Sequence, residues 1–440
     1  MKIIYFVVCS AITCCLYSQE KSENTLSDVE KIFGLSKCWS EVKYNFVYFD
    51  KLTFDWDSLY QATIPIVLAT DNDFLYYREL QRFIEKLKDG HTSVWWRQDL
   101  WDNWAPAPFM TRLIDGKMIV TKLLNDELEQ NYGIKRGLEI VRINGIDVHE
   151  YVSTNIKPYI ASSTEQSLNF MAYGNDATRG KKTESILLTF KDENNRVFES
   201  EISRSMPSKA LPQTPLFDFR VLEDNIGILK IADFWRDNFT VLFDSIYEKI
   251  VDTDALIIDI RDNNGGNSNN AVHILSHLTN NKFKMATWSS PRYIPAFASW
   301  NRPSGWYIDN SSSISPKSNK TIYQNPIVLL IDENTCSAAE DFCVGYRNME
   351  RGLIIGTPSC GSTGNPIVFS LPGGGGIRIC TKKDTYPDGT EFVGVGILPD
   401  IEVHETVSSF FSKVEPDIDN SNAVLKAIEI LKNSLKNQIK

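Results

Sequence analysis

Basic residues are outnumbered in this chain: 46 Lys and Arg stand against 56 Asp and Glu, giving a formal net charge of −10 and an isoelectric point near 5.2. No basic stripe runs through it, and nucleic acid is excluded as a main partner because phosphate binding draws on basic surface. Long apolar runs are missing too. After Ile3 to Leu16 nothing approaches the roughly 20 apolar residues a membrane-spanning helix needs, so no stable membrane span is expected. Histidine is scarce, at five residues, and no Cys or His spacing reads as a metal site. His273 and His277 lie at i and i+4 on one predicted helix. With no third ligand near them in the sequence they read as helix-face residues, and no metal is expected.

Three of the eight cysteines (Cys9, Cys14, Cys15) fall in the first 15 residues, and the five that remain cannot all pair. Buried thiols are the expected state, with Cys360 and Cys380 the only pair considered for a bridge. Met1-Lys2 and the apolar stretch to Leu16 have the charged start and short apolar core of a secretory signal. The simplest cleavage point is after Ser18, and export to a periplasmic or extracellular space follows. A lipid anchor at Cys14 or Cys15 is disfavoured, because Ile-Thr precedes Cys14 where a small residue is usual.

At 440 residues the chain exceeds one usual core, and two or three domains are expected. Apolar residues recur near helical spacing through 25–95 (Val29, Ile32, Phe33; Leu80, Phe83, Ile84, Leu87), which defines an N-terminal helical segment ending at Gly90. Trp95, Trp96, Trp101 and Trp104 follow, and are read as packing residues. Residues 106–204 read as short strands with one or two helices. Ser205 to Pro215, with three prolines, reads as a linker. From 216 to 406 strands and helices alternate as in an α/β fold, interrupted over 286–324 by an expected irregular insertion. The stretch 415–440 closes the chain with a polar-sided helix.

Within this last large segment, Pro326 to Ile331 is a buried-strand run, followed by a polar turn and a helix starting at or near Ser337. A hydroxyl at a helix start sits among unpaired N–H groups that favour negative charge, which suits acyl transfer. Ser337-Ala-Ala-Glu340 also fits a capping box with no chemistry at all. A second unit of the same kind decides between them: Ala255 to Ile260, then Arg261-Asp-Asn-Asn-Gly-Gly-Asn267, then a helix through Ala271, Val272, Ile274 and Leu275. Gly265 and Gly266 can bring N–H groups close to a ligand.

With these residues in view the chain resembles the S41 peptidase family, which includes the C-terminal processing proteases and the core of tricorn protease. Asp259 to Gly266 fits the family's Asp-x-Arg-x-Asn-x-Gly-Gly pattern, Ser337 to Glu340 its Ser-Ala-x-Glu segment, and Gly396-Ile-Leu-Pro-Asp400 its closing motif. The resemblance implies a crotonase-like α/β core over 216–406. It also implies a PDZ-like, β-rich domain over 106–204, where Gly137 to Gly145 and Ile-Asp-Val after it resemble the corresponding PDZ segment. The bland alternative for that stretch is a hairpin with an Asn-Gly turn.

The same resemblance assigns roles. Ser337 would be the nucleophile, and His91, within Asp89-Gly-His-Thr92, its base. In the processing proteases a lysine lies 25 residues beyond the serine; here that position is Ser362, so a Ser-His-Glu arrangement is expected instead of a Ser-Lys dyad. Glu391 is the expected acid, with Asp388 and Glu340 as rivals. The N–H groups of Gly265 or Gly266 and of Ala338 would form the oxyanion hole, and Arg261 would hold the turn. The expected function is an exported serine endopeptidase acting on polypeptides, with no cofactor. Its base would have an ordinary histidine pKa and an activity limb at about pH 6 to 7. The rival is a weak or inactive relative that binds peptides or apolar ligands, because the same core resembles interphotoreceptor retinoid-binding modules.

Overall fold

The computed structural model describes residues 25–208, 214–302, 305–310, 313–318, 320–411 and 421–438. The expected signal over 1–18, part of the proline linker and residues 415–420, 439 and 440 of the last segment lie outside the described residues. The fold is a mixed α/β arrangement, and its described residues form five hydrophobic clusters, the two largest on one face of the central sheet and around the N-terminal helices.

The central sheet has six strands in the order Phe217–Val221, Ile226–Ile231, Ala255–Asp259, Ile327–Ile331, Gly352–Gly356, Ile401–Glu402. Its first pair is antiparallel and the others are parallel. Every residue of Ala255–Asp259 and Ile327–Ile331 is buried. A parallel strand covered on both faces has no polar side, which is why these two read as unbroken apolar runs. Helices Phe239–Ile250, Ser268–Leu275 and Ala338–Asn348 cover one face through Phe243, Ile274 and Phe342. Helix Asn422–Gln438 covers the other, setting Val424, Ala427 and Leu431 against Ile228, Ile257 and Val328. The terminal helix is therefore half of the sheet's cover.

Residues Phe109 to Ser203 form a separate antiparallel sheet in the order Phe109–Ile114, Lys117–Leu123, Glu139–Ile143, Ser185–Lys191, Val197–Ser203. It has its own core around Phe109, Val120, Ile140, Leu188 and Phe190. Strand Glu139–Ile143 returns to Ile146–Asp147 through Asn144 and Gly145, with φ of 51° and 80°. Those positive angles are what a two-residue hairpin turn with the native twist demands.

The N-terminal helices Asp28–Asn45, Trp56–Leu68 and Asp73–Glu85 pack on a three-stranded sheet of Ser93–Trp95, Gly376–Ile379 and Ile367–Ser370. Val94 pairs with Ile377 in antiparallel register. The segment is thus tied into the C-terminal part of the chain by a strand, and this pairing carries residue 91 to the neighbourhood of residue 362. Trp96 is buried and stacks on Trp101 at 4.6 Å, and Trp104 stacks on Phe74 at 4.2 Å, so these rings are packing residues.

The insertion over 286–324 is not irregular throughout. Thr287–Arg292 and Gly305–Asp309 form a hairpin, and Lys383–Thr385 adds a third strand to it. Its Pro, Ser and Asn content masks the strands: Pro291 lies inside the hairpin opposite Trp306, in a position where composition argues against a ladder.

Candidate active site

The strands Ala255–Asp259 and Ile327–Ile331 run side by side and in parallel, so their two following turns meet at one end of the sheet. That is where parallel sheets commonly build sites. The first turn is pinned by Arg261, whose guanidinium grips Asp259 twice, at 2.9 and 2.8 Å, and reaches Ser421 Oγ at 2.8 Å. Arg261 holds the turn, as expected. The second turn is sewn to the first where Cys336 N–H donates to Asn263 O at 3.0 Å.

Ser337 follows, immediately before helix Ala338–Asn348, with φ 57° and ψ −122°. A non-glycine residue holds such angles only when its surroundings dictate them. Here Ser337 N–H donates to Ser362 O at 3.0 Å and to Glu340 Oε2 at 3.2 Å. The Glu340 arm of the capping box is therefore present, while the Ser337 hydroxyl meets His91 Nε2 at 3.2 Å.

A disulfide joins Cys336 to Cys360, with Cα atoms 5.3 Å apart. This corrects the expected Cys360–Cys380 pair and the expectation of buried thiols throughout. The backbones of 335–337 and 360–362 lie alongside one another, as Cys360 N–H donating to Thr335 O at 3.1 Å shows. Cys380 is a buried free thiol, as are Cys38 and Cys343.

His91 reaches the serine from 246 positions away because its strand neighbours are clamped: Arg378 donates to Gly90 O and Ser93 Oγ, each at 2.9 Å. The His91 N–H donates to Asp89 Oδ1 at 3.0 Å. Its ring joins two hydroxyls, Ser337 Oγ at Nε2 and Ser362 Oγ at Nδ1, the latter at 2.7 Å. Burial, with Arg378 and Lys382 adding positive charge, pushes its pKa down to about 3. The imidazole is therefore neutral across the ordinary pH range. With Nδ1–H donating to Ser362, Nε2 is left as an acceptor for the Ser337 proton.

The acid expected behind His91 is elsewhere. Glu391 Oε2 pairs with Lys51 at 2.7 Å and Oε1 pairs with Lys383, and these ammonium groups hold its carboxyl below the usual range. Both His91 nitrogens face serine hydroxyls, so Glu391 is not its hydrogen-bonding partner. Asp388 is fully exposed and accepts from Thr390 N–H in its own turn. The remaining rival, Glu340, lies under the site without touching the ring. It is fully buried and accepts from Ser359 Oγ at 2.5 Å, Gly361 N–H at 2.8 Å and Ser362 N–H at 2.9 Å, besides Ser337. Burial pushes its pKa up to about 7 against these donors. One carboxylate thus holds both serines in place through their backbones. Ser362 is the residue that sequence reasoning passed over, noted only as the absence of a lysine.

Gly265 and Gly266 have φ of 99° and 143°. A Cβ on Gly265 would stand 2.7 Å from Ser337 Cβ and 2.9 Å from Ala338 N, so only glycine fits there. The Gly265 N–H is already used, donating to Asn263 Oδ1 at 3.0 Å. Of the three expected oxyanion donors, the N–H groups of Gly266 and Ala338 have no hydrogen-bond partner among the described residues. Beside them opens a cleft of about 860 Å³ walled by Trp235, Trp288, Arg292 and Tyr307, with Ser337 in its lining. Lys382 also lines it and pairs with Asp384 at 2.7 Å. Burial works to lower the Lys382 pKa, but Asp341 and Asp384 outweigh it and keep the ammonium charged.

A parallel α/β sheet whose strand ends set a strained serine against a neutral histidine, beside unpaired N–H groups, defines a serine-nucleophile type of site. Residues 225–403 match the model of peptidase family S41. Among curated proteins it is 26% identical over 189 residues to the carboxy-terminal-processing protease of Bartonella bacilliformis, covering 42% of this chain and 40% of that one. It is 21% identical over 364 residues to the carboxy-terminal processing protease CtpA of Bacillus subtilis, covering 80% of this chain and 68% of that one. Its fold is similar to that of mature CPAF complexed with lactacystin, with a TM-score of 0.70 at 16% identity over 93% of this chain and 99% of that one. The chain spans well under half the length of the Bartonella relative it matches.

Proposed function

We propose that the protein is an exported serine endopeptidase that cleaves polypeptides through an acyl-enzyme, with Ser337 as nucleophile and His91 as general base. The observation that carries this reading is the His91 ring held between two serine hydroxyls, 3.2 Å from Ser337 Oγ and 2.7 Å from Ser362 Oγ. As Ser337 Oγ attacks the scissile carbonyl, Nε2 takes its proton, and Nδ1–H stays on Ser362 Oγ. The oxyanion forms against the Gly266 and Ala338 N–H groups at the start of a helix. His91 returns the proton to the leaving amine, and water repeats the sequence on the acyl-enzyme. The arrangement is then Ser-His-Ser, with Glu340 fixing the two serines, in place of Ser-His-Glu.

The charged state of Lys382 speaks against a displaced Ser-Lys dyad. The Cys336–Cys360 bridge supports export, because such bonds persist in oxidising compartments. No helix among the described residues is long and apolar enough to cross a membrane. We read the central sheet and its helices as crotonase-like, and the 109–203 sheet as PDZ-like, adding substrate as a strand. An inactive binding protein would have no need to keep Ser337 strained against a neutral histidine. The test is turnover of a fluorogenic peptide library: the wild type cleaves a subset and Ser337→Ala cleaves none. Equal cleavage by the two proteins would overturn the proposal.

A further inference from the structure

Helices Phe239–Ile250 and Ser268–Leu275 pack beside one another on the face of the central sheet, away from any role in the proposed chemistry. Asp244 on the first meets His273 and His277 from the second helix and the turn that ends it. The sequence offered only the two histidines four apart; the third donor comes from the neighbouring helix. One atom of each residue lies within 4.8 Å of the others.

His277 is fully buried. Its Nδ1 lies 2.8 Å from His273 O, a carbonyl that can only accept, so Nδ1 carries the proton and Nε2 presents a bare lone pair. That Nε2 has no hydrogen-bond partner among the described residues. It faces Asp244 Oδ1 at 3.8 Å, so two acceptors look at each other with no donor between them. A buried acceptor left this way is unfavourable, and a cation beside it would satisfy the His277 lone pair. His273 Nε2 completes the group, 2.7 Å from the same Asp244 oxygen.

We propose that Asp244, His273 and His277 form a binding site for a divalent transition metal of the zinc class. Two imidazole nitrogens and one carboxylate oxygen are the donors that Zn²⁺, Co²⁺ and Ni²⁺ take. Donor atoms on a tetrahedral ion at about 2.1 Å stand roughly 3.4 Å apart, so His277 and Asp244 close by a few tenths of an ångström and His273 and Asp244 open by somewhat more. The backbone carbonyl on His277 Nδ1–H is the outer contact that sets the metal-binding tautomer. The ring is further fixed between Phe243 and Tyr247, with centroids at 5.3 and 4.6 Å. Lys317 Nζ lies 3.5 Å from His273 Nδ1, so binding a metal through His273 Nε2, which puts the proton on Nδ1, requires this ammonium to turn aside. Asp244 is one-third exposed, which leaves a fourth position for water. An ion there would clasp the two helices, the second of which begins at Ser268, two residues after Gly266.

Chelator-treated full-length protein is titrated with Co²⁺ and followed by visible absorption, and Zn²⁺ is then added in competition. Expected are one Co²⁺ per chain, its displacement by Zn²⁺, and affinity weakened about tenfold or more in Asp244→Asn and in His273→Ala. These two positions lie at the rim of the group and keep the experiment readable if His277→Ala does not fold. His404→Ala, which removes the exposed histidine paired with Glu402, leaves the titration unchanged. Zn²⁺ raises the melting temperature of the wild type and not of Asp244→Asn. No saturable cobalt spectrum in the wild type, or the same spectrum in both rim variants, would overturn the proposal.

Discussion

Ser362→Ala removes the hydroxyl that receives His91 Nδ1–H and touches neither the nucleophile nor the cleft lining. The bond is short, at 2.7 Å, and the partner it joins to the half-buried ring, Ser362, is itself buried. A buried donor left without an acceptor costs about 1 to 3 kcal/mol, and the other tautomer, with its proton on Nε2, becomes the lower in energy. In that tautomer the ring cannot accept from Ser337. Because about 1.4 kcal/mol is a factor of ten in rate, kcat should fall roughly 5- to 150-fold, with KM nearly unchanged. The loss is smaller than for removing a charged orienting carboxylate, because Ser362 is neutral. Ser362→Thr keeps the hydroxyl and should keep most activity. Ser362→Asp puts a negative charge on Nδ1–H, raises the His91 pKa, and should move the activity limb to higher pH. Peptide turnover against pH and substrate concentration, alongside melting curves, reads all three. Wild-type kcat in a folded Ser362→Ala protein would refute the assignment.

Other expectations follow from the same geometry. Since His91 is held at about 3, kcat/KM should stay high well below the pH 6 to 7 limb of an ordinary histidine; a half-maximal point near 6.5 would contradict the burial argument. The sign for stability is the same: the unfolded chain takes up a proton on His91 first, so the contribution is complete above pH 6.5 and is lost as pH falls toward 3. Up to roughly 5 kcal/mol is at stake there, readable as a difference in acid denaturation between wild type and His91→Ala. In Gly90→Ala the new Cβ would stand 2.7 Å from Ser362 Oγ, so activity should drop about tenfold or more as that hydroxyl is pushed aside; unchanged turnover would count against the Ser362 contact. Cys360→Ser opens a bridge spanning 24 residues and should lower stability by about 3 kcal/mol in denaturant melts.

The sheet was readable in the sequence because its central strands are buried on both faces and are therefore apolar throughout, and because the glycine pair after Asp259 and the serine after Cys336 punctuate the same strand-turn-helix pattern twice. His91 was legible only through its local motif; nothing in composition announces that Val94 pairs with Ile377 and brings the ring to Ser337. Glu391 failed as the acid because its spacing gave no account of Lys51, 340 positions away, which takes one of its oxygens. Ser362 was missed for the opposite reason. A serine in a glycine-rich loop carries no signal until the backbone of 360–362 is seen beside 335–337. Asp244 was hidden in the same way from the two histidines it faces. The hairpin over 287–309 escaped because its strands hold Pro291 and several serines.

The most direct measurement is mass-spectrometric mapping of a fluorophosphonate adduct on the intact protein. A strained serine beside a neutral base and two unpaired N–H groups should be phosphonylated at Ser337 alone, and labelling should fall at least about a hundredfold in folded His91→Ala, within the range ascribed to a general base. A folded wild-type protein that takes no label, or a His91→Ala protein labelled at the wild-type rate, would contradict the account.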